Sequence, residues 1–159
     1  MSSAAVVGLL IERGLTIAVA ESLTGGMLVA ELIATPGASA AVLGGVVAYD
    51  TRLKRTLLGV EADLLAEVGA VDPRVAEQMA DRVRGVLAVD GKPADIGIST
   101  TGVAGPDPQD GKVAGTVYVG LAMGERVFSI ELNLAGSRAA IRLATVTEAL
   151  VHLQKMLEG

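Results

Sequence analysis

Cysteine is absent from the 159 residues, and histidine occurs once, at His152. The first absence excludes disulfides, thiolate metal sites and a cysteine nucleophile. The second makes any Ser-His-Asp arrangement depend on a residue in the final turns of the last predicted helix. A polar or cationic group near a helix C-terminus is favourable for electrostatic reasons alone, so His152 reads as structural. Transition-metal sites are poorly supplied for the same reasons. Tryptophan is also missing, with one Phe and two Tyr, so no aromatic platform exists for stacking bases. Net charge is -5 and no Lys/Arg cluster stands out. Nucleic acid and anionic membrane surfaces both need concentrated basic charge, so neither is an expected partner. No apolar run reaches membrane-spanning length. The amino terminus lacks the basic segment of a signal peptide, and a cytoplasmic location is the expectation.

What is present is small and apolar. Hydrophobic residues make up 51% and charged residues 19%, with Ala, Val, Leu and Gly dominant. Small side chains suit close packing of helices on a sheet. No repeat, low-complexity tract or Pro/Ser-rich linker divides the chain, so residues 1–159 are expected to form one domain.

Helices are expected over Ser3–Arg13, stopped by Gly14, and from a Thr24 cap to about Ala34. Others follow from Asp50 or Thr51 to about Leu58, and from the Asp72-Pro73 cap to about Val89. On that helix Val75, Met79, Val83 and Val86 form one stripe. Strands are expected at Thr16–Ala20, Val42–Tyr49 and Asp95–Thr100. Thr116–Ala122 and Arg126–Leu134 read as a hairpin turning at Met123-Gly124. A last helix, Ser137 to about Leu157, carries Leu143, Val146, Leu150, Leu153 and Leu157 as a core stripe. Alternating helices and strands followed by a hairpin argue for an α/β fold. The expected form is a three-layer α/β/α sandwich with a mixed, mostly parallel sheet. Ligands of such sheets bind at loops beyond strand ends.

With Cys absent and His152 remote, nucleophilic chemistry is left to Ser or Thr activated by Lys. A lysine with a solution pKa near 10.4 must be buried, or set beside another cation, before it can serve as a base at neutral pH. Ala20-Glu21-Ser22-Leu23-Thr24-Gly25-Gly26 lies between a strand and a helix. It can present the Ser22 hydroxyl, with backbone N–H groups for an oxyanion; equally, Ser22 or Thr24 can simply cap the helix. Tyr49-Asp50-Thr51-Arg52-Leu53-Lys54 sets Lys54 one helical turn past Asp50, able to point back to the strand end. It could also be a solvated lysine beside Arg52 and Arg55. Thr100-Thr101-Gly102-Val103-Ala104-Gly105-Pro106 leaves N–H groups accessible at Gly102, Ala104 and Gly105, or is an ordinary turn. Arg138 and Arg142 share one face at the start of the last helix, where they suit a phosphate or carboxylate. Asp50, Asp107 and Asp110 could ligate Mg²⁺, although each also fits a turn or cap.

Six segments in order resemble the carboxy-terminal domain of the CinA family, bacterial nicotinamide-nucleotide amidohydrolases. They are AESLTGG (20–26), YDTRLKRTLLGV (49–60), GAVDPRVAEQMA (69–80), TTGVAGPDPQDGK (100–112), GTVYVGLA (115–122) and GSRAAIRLAT (136–145). The resemblance implies hydrolysis of the carboxamide of nicotinamide mononucleotide to nicotinate mononucleotide and ammonia, with no metal or cofactor. It implies Ser22 as nucleophile and Lys54 as general base, with Tyr49 and Thr101 completing the catalytic set. Substrate contacts are implied at Thr24, Gly25, Gly26, Gly102, Ala104 and Gly105. Arg138 and Arg142 are expected to meet the substrate phosphate or brace the site. Asp50-Thr51 stands where the family has Ser-Asn, and Lys112-Val113-Ala114 where it has Lys-Pro-Val. Longer family members carry a further amino-terminal domain, so a stand-alone form is expected here. A carboxylate at Asp50 opposes deprotonation of the base. A nucleotide-binding module without turnover, or an assembly domain, therefore remains an alternative. The small-residue faces are compatible with a homo-oligomer such as a dimer.

Overall fold

Caps and glycines set the element ends across residues 2–159, the span described by the computed structural model. Helix α1 (Ser3–Arg13) stops at Gly14, whose φ of 64° is left-handed and costs glycine no Cβ clash. Strand β1 (Ile17–Glu21), helix α2 (Met27–Ile33), a 3₁₀ turn (Ala38–Ala40) and strand β2 (Val42–Val47) follow. Asp50 caps α3 (Thr51–Thr56) by accepting from the Arg52 N–H. After α4 (Ala62–Val68), Asp72 caps α5 (Pro73–Val86) in the same way, with proline in its first turn. Strands β3 (Ile96–Gly102), β4 (Thr116–Met123) and β5 (Arg126–Asn133) lead to α6 (Arg138–Glu158), where the Ser137 hydroxyl accepts from the Ala140 N–H.

The five strands form one sheet in the order β2-β1-β3-β4-β5. β1 is parallel to β2 and β3, while β4 is antiparallel to both β3 and β5. Only β4 therefore runs against the others, and the sheet is mixed and mostly parallel in direction. Strand alternation then assigns the faces. Ile17, Val19, Ile96, Ile98, Val119 and Leu121 point into a core closed by α1, α2 and α6. Ala18 and Ala20 point the other way, under Val75, Met79 and Val83 of α5. Helices thus cover both faces, the three-layer α/β/α arrangement expected.

The α5 side explains the taste for small residues. Ser99 donates to the Ala76 carbonyl at 2.6 Å. A Cβ added at Gly97 would overlap the Ala80 carbonyl, and one at Gly120 the Ala76 carbonyl. Helix backbone lies directly on strand backbone there, and no larger side chain fits between them.

Three expectations are corrected. Thr24 does not cap α2; that position belongs to Gly26, and Thr24 is fully buried. Leu143 is 60% exposed rather than core. At 100° per residue it lies about 100° round α6 from the centre of the buried arc marked by Ala149 and Leu153. Val86, in the last turn of α5, is also exposed. Helix α4 was not anticipated, being short and without a cap signal. Among the described residues no helix is long and apolar enough to cross a membrane.

Glycine replacements separate packing from propensity. Gly97→Ala should destabilise the fold by about 2 kcal/mol or more through overpacking against α5. Gly85→Ala, within α5 itself and with nothing within 4 Å of the new methyl, should be neutral or stabilising by about 0.5–1 kcal/mol. Urea denaturation midpoints decide both; equal effects at the two positions would refute the close-packing argument.

Candidate active site

The β1–α2 turn is built to hold one hydroxyl still. Glu21, the last residue of β1, is fully buried. Its two carboxylate oxygens accept from the N–H groups of Leu28 and Val29 at 2.9 and 3.0 Å. The charge and the exposed donors of the α2 N-terminus satisfy each other. Between them Gly25 and Gly26 take φ of 60° and 102°, a path open to glycine. The Ser22 N–H donates to Thr100 O at 3.0 Å, tying the turn to β3. The Thr24 and Thr100 hydroxyls meet at 2.8 Å. From α6, Arg142 Nε donates to Leu23 O at 2.8 Å and its Nη2 to Thr24 O at 3.4 Å.

Against this turn comes Lys54, one helical turn into α3 and fully buried. Its Nζ donates to Ser22 Oγ at 2.8 Å, to Ala48 O at 2.7 Å and to Tyr49 O at 3.3 Å. Burial lowers its pKa from 10.5 to about 8, partly opposed by the charge of Asp50. The two carbonyls can hold two N–H groups of a neutral amine, which leaves its lone pair directed at Ser22 Oγ. Asp50 is itself engaged. Its Oδ1 accepts from the Arg52 backbone N–H at 2.8 Å and from Nε at 3.0 Å, and its Oδ2 from Nη2 at 2.7 Å. These bonds hold its carboxyl well below the usual carboxylate range.

Ser22 and Lys54 open into a cavity of about 750 Å³. Its walls include Tyr49, Thr101 and the Gly102–Gln109 loop, with Arg138 at one side. Arg138 Nη1 donates to Gly105 O at 2.7 Å and Nη2 to the Tyr49 hydroxyl at 3.0 Å, linking α6 to both walls. Thr101 Oγ1 donates to Ala70 O at 2.6 Å, so its proton is committed to the wall. Gly102 and Gly105 are tight: a Cβ would crowd Val117 Cγ2 at 2.7 Å and Ala114 Cβ at 2.7 Å, respectively. Lys112 Nζ donates to Val71 O at 2.8 Å and Asp110 accepts from the Ala70 N–H at 3.3 Å, anchoring the loop.

Of the residues singled out in the sequence, Ser22, Lys54, Tyr49, Thr101, Gly102, Ala104, Gly105 and Arg138 therefore line one cavity. Thr24, Gly25, Gly26 and Arg142 stand behind it, in and around the turn that carries Ser22. The α2 N-terminus is not available to an oxyanion, because Glu21 takes it. Glu21 is the residue that motif reading missed; a carboxylate ending a buried apolar strand just before a helix was its signal. His152 faces Glu148 at 4.0 Å, fourteen residues along α6 from Arg138 and so about 20 Å away at the helical rise. Burial and Lys155 lower its pKa. Among the described residues no group of three or more His, Asp or Glu converges to hold a metal.

A family model described as the CinA C-terminal domain matches residues 1–157. A CinA-like protein of Frankia casuarinae is 47% identical over 154 residues, 97% of this chain but 34% of that protein. A putative competence-damage inducible protein of Geobacillus kaustophilus is 48% identical over 147 residues, 92% of this chain and 34% of its own length. The chain thus spans about a third of the length of these curated relatives. A solved CinA superfamily protein from Klebsiella pneumoniae superposes with a TM-score of 0.92 at 31% identity, covering 98% of this chain and 95% of its own. A competence/damage inducible protein of Agrobacterium tumefaciens gives 0.84 at 31% identity, with 100% and 99% covered.

Burying Lys54 has a sign that calorimetry can read. The unfolded lysine keeps its proton up to its ordinary 10.5, whereas the folded one gives it up near 8. The unfolded state binds more protons between these values, so stability rises with pH across that window. At 1.36 kcal/mol per pKa unit the buried charge costs roughly 3 kcal/mol below pH 8. Leaving the Ala48 carbonyl unpaired would return about 1–3 kcal/mol of that. Lys54→Met should accordingly stabilise the fold at pH 7 by about 1 kcal/mol and remove the rise above pH 8. A variant less stable than wild type at pH 7 would contradict the burial cost.

Proposed function

The chain belongs to the CinA C-terminal domain family, and on that premise we propose that it is a nicotinamide-nucleotide amidohydrolase. It converts nicotinamide mononucleotide to nicotinate mononucleotide and ammonia. The observation that carries this reading is the buried Lys54 amine, 2.8 Å from the Ser22 hydroxyl and held by two carbonyls. A serine beside a lysine of depressed pKa is a nucleophile with its base in place.

Neutral Lys54 takes the Ser22 proton as Oγ attacks the carboxamide carbon. The carbonyl π electrons move to oxygen, and backbone N–H groups at the cavity wall, in the Leu23 and Ala104–Gly105 segments, hold the oxyanion. Each donor in such a hole contributes about 3 kcal/mol. The C–N bond then breaks, and the Lys54 ammonium protonates the departing nitrogen, giving ammonia and an ester on Ser22. Water, deprotonated by Lys54, attacks the ester, and Ser22 leaves with the proton returned from Lys54. Arg138 supplies the cation for the nucleotide phosphate, and the half-exposed ring of Tyr49 borders the base. Arg142 and Glu21 hold the turn and touch no substrate.

Ammonia release from nicotinamide mononucleotide by purified protein is the test. Ser22→Ala and Lys54→Ala should each lower kcat by at least about 10³-fold, and a chelator should leave the rate unchanged. No release at high enzyme concentration, or full activity in Ser22→Ala, would sink the reading.

The rate should rise with pH along a limb near 8, where Lys54 becomes neutral. Asp50 raises the Lys54 pKa, so Asp50→Asn, which keeps a capping side chain, should move the limb to lower pH. A limb displaced upward would show that Asp50 acts on the base in the opposite sense.

A further inference from the structure

Lys54 is placed to serve more than one nucleophile. Its Nζ is fixed by Ala48 O at 2.7 Å and Tyr49 O at 3.3 Å, two acceptors supplied by the fold itself. Its remaining direction faces Ser22 Oγ at 2.8 Å. Once Ser22 carries an ester, the lone pair of neutral Lys54 meets whatever nucleophile reaches the ester carbon. Other candidate bases are engaged or remote. Among the described residues lining the cavity, the carboxylates are Asp50 and Asp107. Asp50 accepts from Arg52 on both oxygens, and Asp107 is exposed on the turn between Pro106 and Pro108. Thr101 gives its proton to Ala70 O at 2.6 Å, and His152 lies far along α6. Water and an amine therefore share one base. Space admits both. The cavity of about 750 Å³ is within the range that holds a whole small-molecule ligand. Departing ammonia vacates the place beside Ser22 and Lys54, and a site that expels an amine accepts one back along the same path. Hydroxylamine is one oxygen larger than ammonia, so it fits where the leaving nitrogen stood.

We propose that the chain is also an acyltransferase, passing the nicotinoyl nucleotide group from the Ser22 ester to small, weakly basic amines; this rests on the amidohydrolase reading, which supplies the ester. The amine nitrogen attacks the ester carbon, and the carbonyl π electrons move to oxygen. Lys54 takes one N–H proton. Collapse of the tetrahedral adduct breaks the bond to Ser22 Oγ, and Lys54 returns the proton to that oxygen. The products are an N-substituted amide and free Ser22, with no net oxidation or reduction. The acceptor must keep its own lone pair free near pH 8, where Lys54 loses its charge. Alkylamines resemble free lysine, protonated up to about 10.4, and are poor acceptors there. Hydroxylamine is unprotonated and qualifies.

Hydroxylamine added to the ammonia-release assay on the full chain, with nicotinamide mononucleotide as donor, tests it. The hydroxamate of the nucleotide, read by its coloured ferric complex, should appear beside nicotinate mononucleotide. The ratio of hydroxamate to acid should double with each doubling of hydroxylamine, and their sum should equal the ammonia released. Ser22→Ala should form neither product. Ammonia release with no hydroxamate at any hydroxylamine concentration overturns the acyltransferase and leaves the amidohydrolase reading intact. Hydroxamate formed equally by Ser22→Ala also overturns it, because the Ser22 ester is then not the donor. A wild type that forms neither ammonia nor hydroxamate overturns the amidohydrolase reading, and the acyltransferase with it.

Discussion

One amine taken out of water organises the site. Lys54 is fully buried, and a buried ammonium is tolerated only where each N–H finds an acceptor. Ala48 O, Tyr49 O and Ser22 Oγ are those acceptors. This requires β2 to end at Val47, the chain to turn at once, and α3 to start close enough for its first turn to reach back. Asp50 makes that short connection by capping α3. The desolvation that weakens the fold also brings the lysine toward neutrality.

The close fit of α5 to the sheet serves the same end. Because Gly97, Ser99 and Gly120 let α5 lie on the strands, the segment entering it, Ala70–Asp72, is drawn down beside β3. Ala70 O then accepts from Thr101, and Val71 O from Lys112. One wall of the cavity is therefore fixed by small residues on the sheet's second face. This is why a chain with so few aromatic residues can still build a defined pocket.

Local signals were legible where local chemistry decides. Gly14, Asp72-Pro73 and Ser137 mark helix ends in the sequence and do so in the structure. The alternation along Ile17–Ala20 and Ile96–Ser99 fixes both faces of the sheet. Where the structure departs, a distant group has replaced a local one. Thr24 has the side chain of a cap, but the Glu21 carboxyl oxygens take the Leu28 and Val29 N–H groups at the start of α2, and Thr24 meets Thr100 instead. Leu143 fitted a heptad-like stripe, but a straight α6 drifts from that period and leaves it outside. The pairing of Ser22 with Lys54 spans thirty-two residues. Composition reduced the choice to a serine or threonine with a lysine, and the order of motifs suggested which ones; no local pattern encodes their contact.

Arg138 and Arg142 show how far spacing carries an argument. Four residues apart, they share a face of α6, and both look toward the strand ends. They nevertheless do different work. Arg142 gives its donors to Leu23 O and Thr24 O, and a Cβ at Gly25 would sit 3.3 Å from its Nη2, so it is enclosed by the turn it supports. Arg138 spans Tyr49 and Gly105 at the cavity side. Its contacts are a phenol and a carbonyl, both neutral, and among the described residues no carboxylate pairs with it. Glu21 has already neutralised the α2 N-terminus, and Arg52 is paired with Asp50. An anionic group entering the cavity therefore meets the Arg138 guanidinium free of any carboxylate among the described residues, in the same cavity as Ser22 and Lys54.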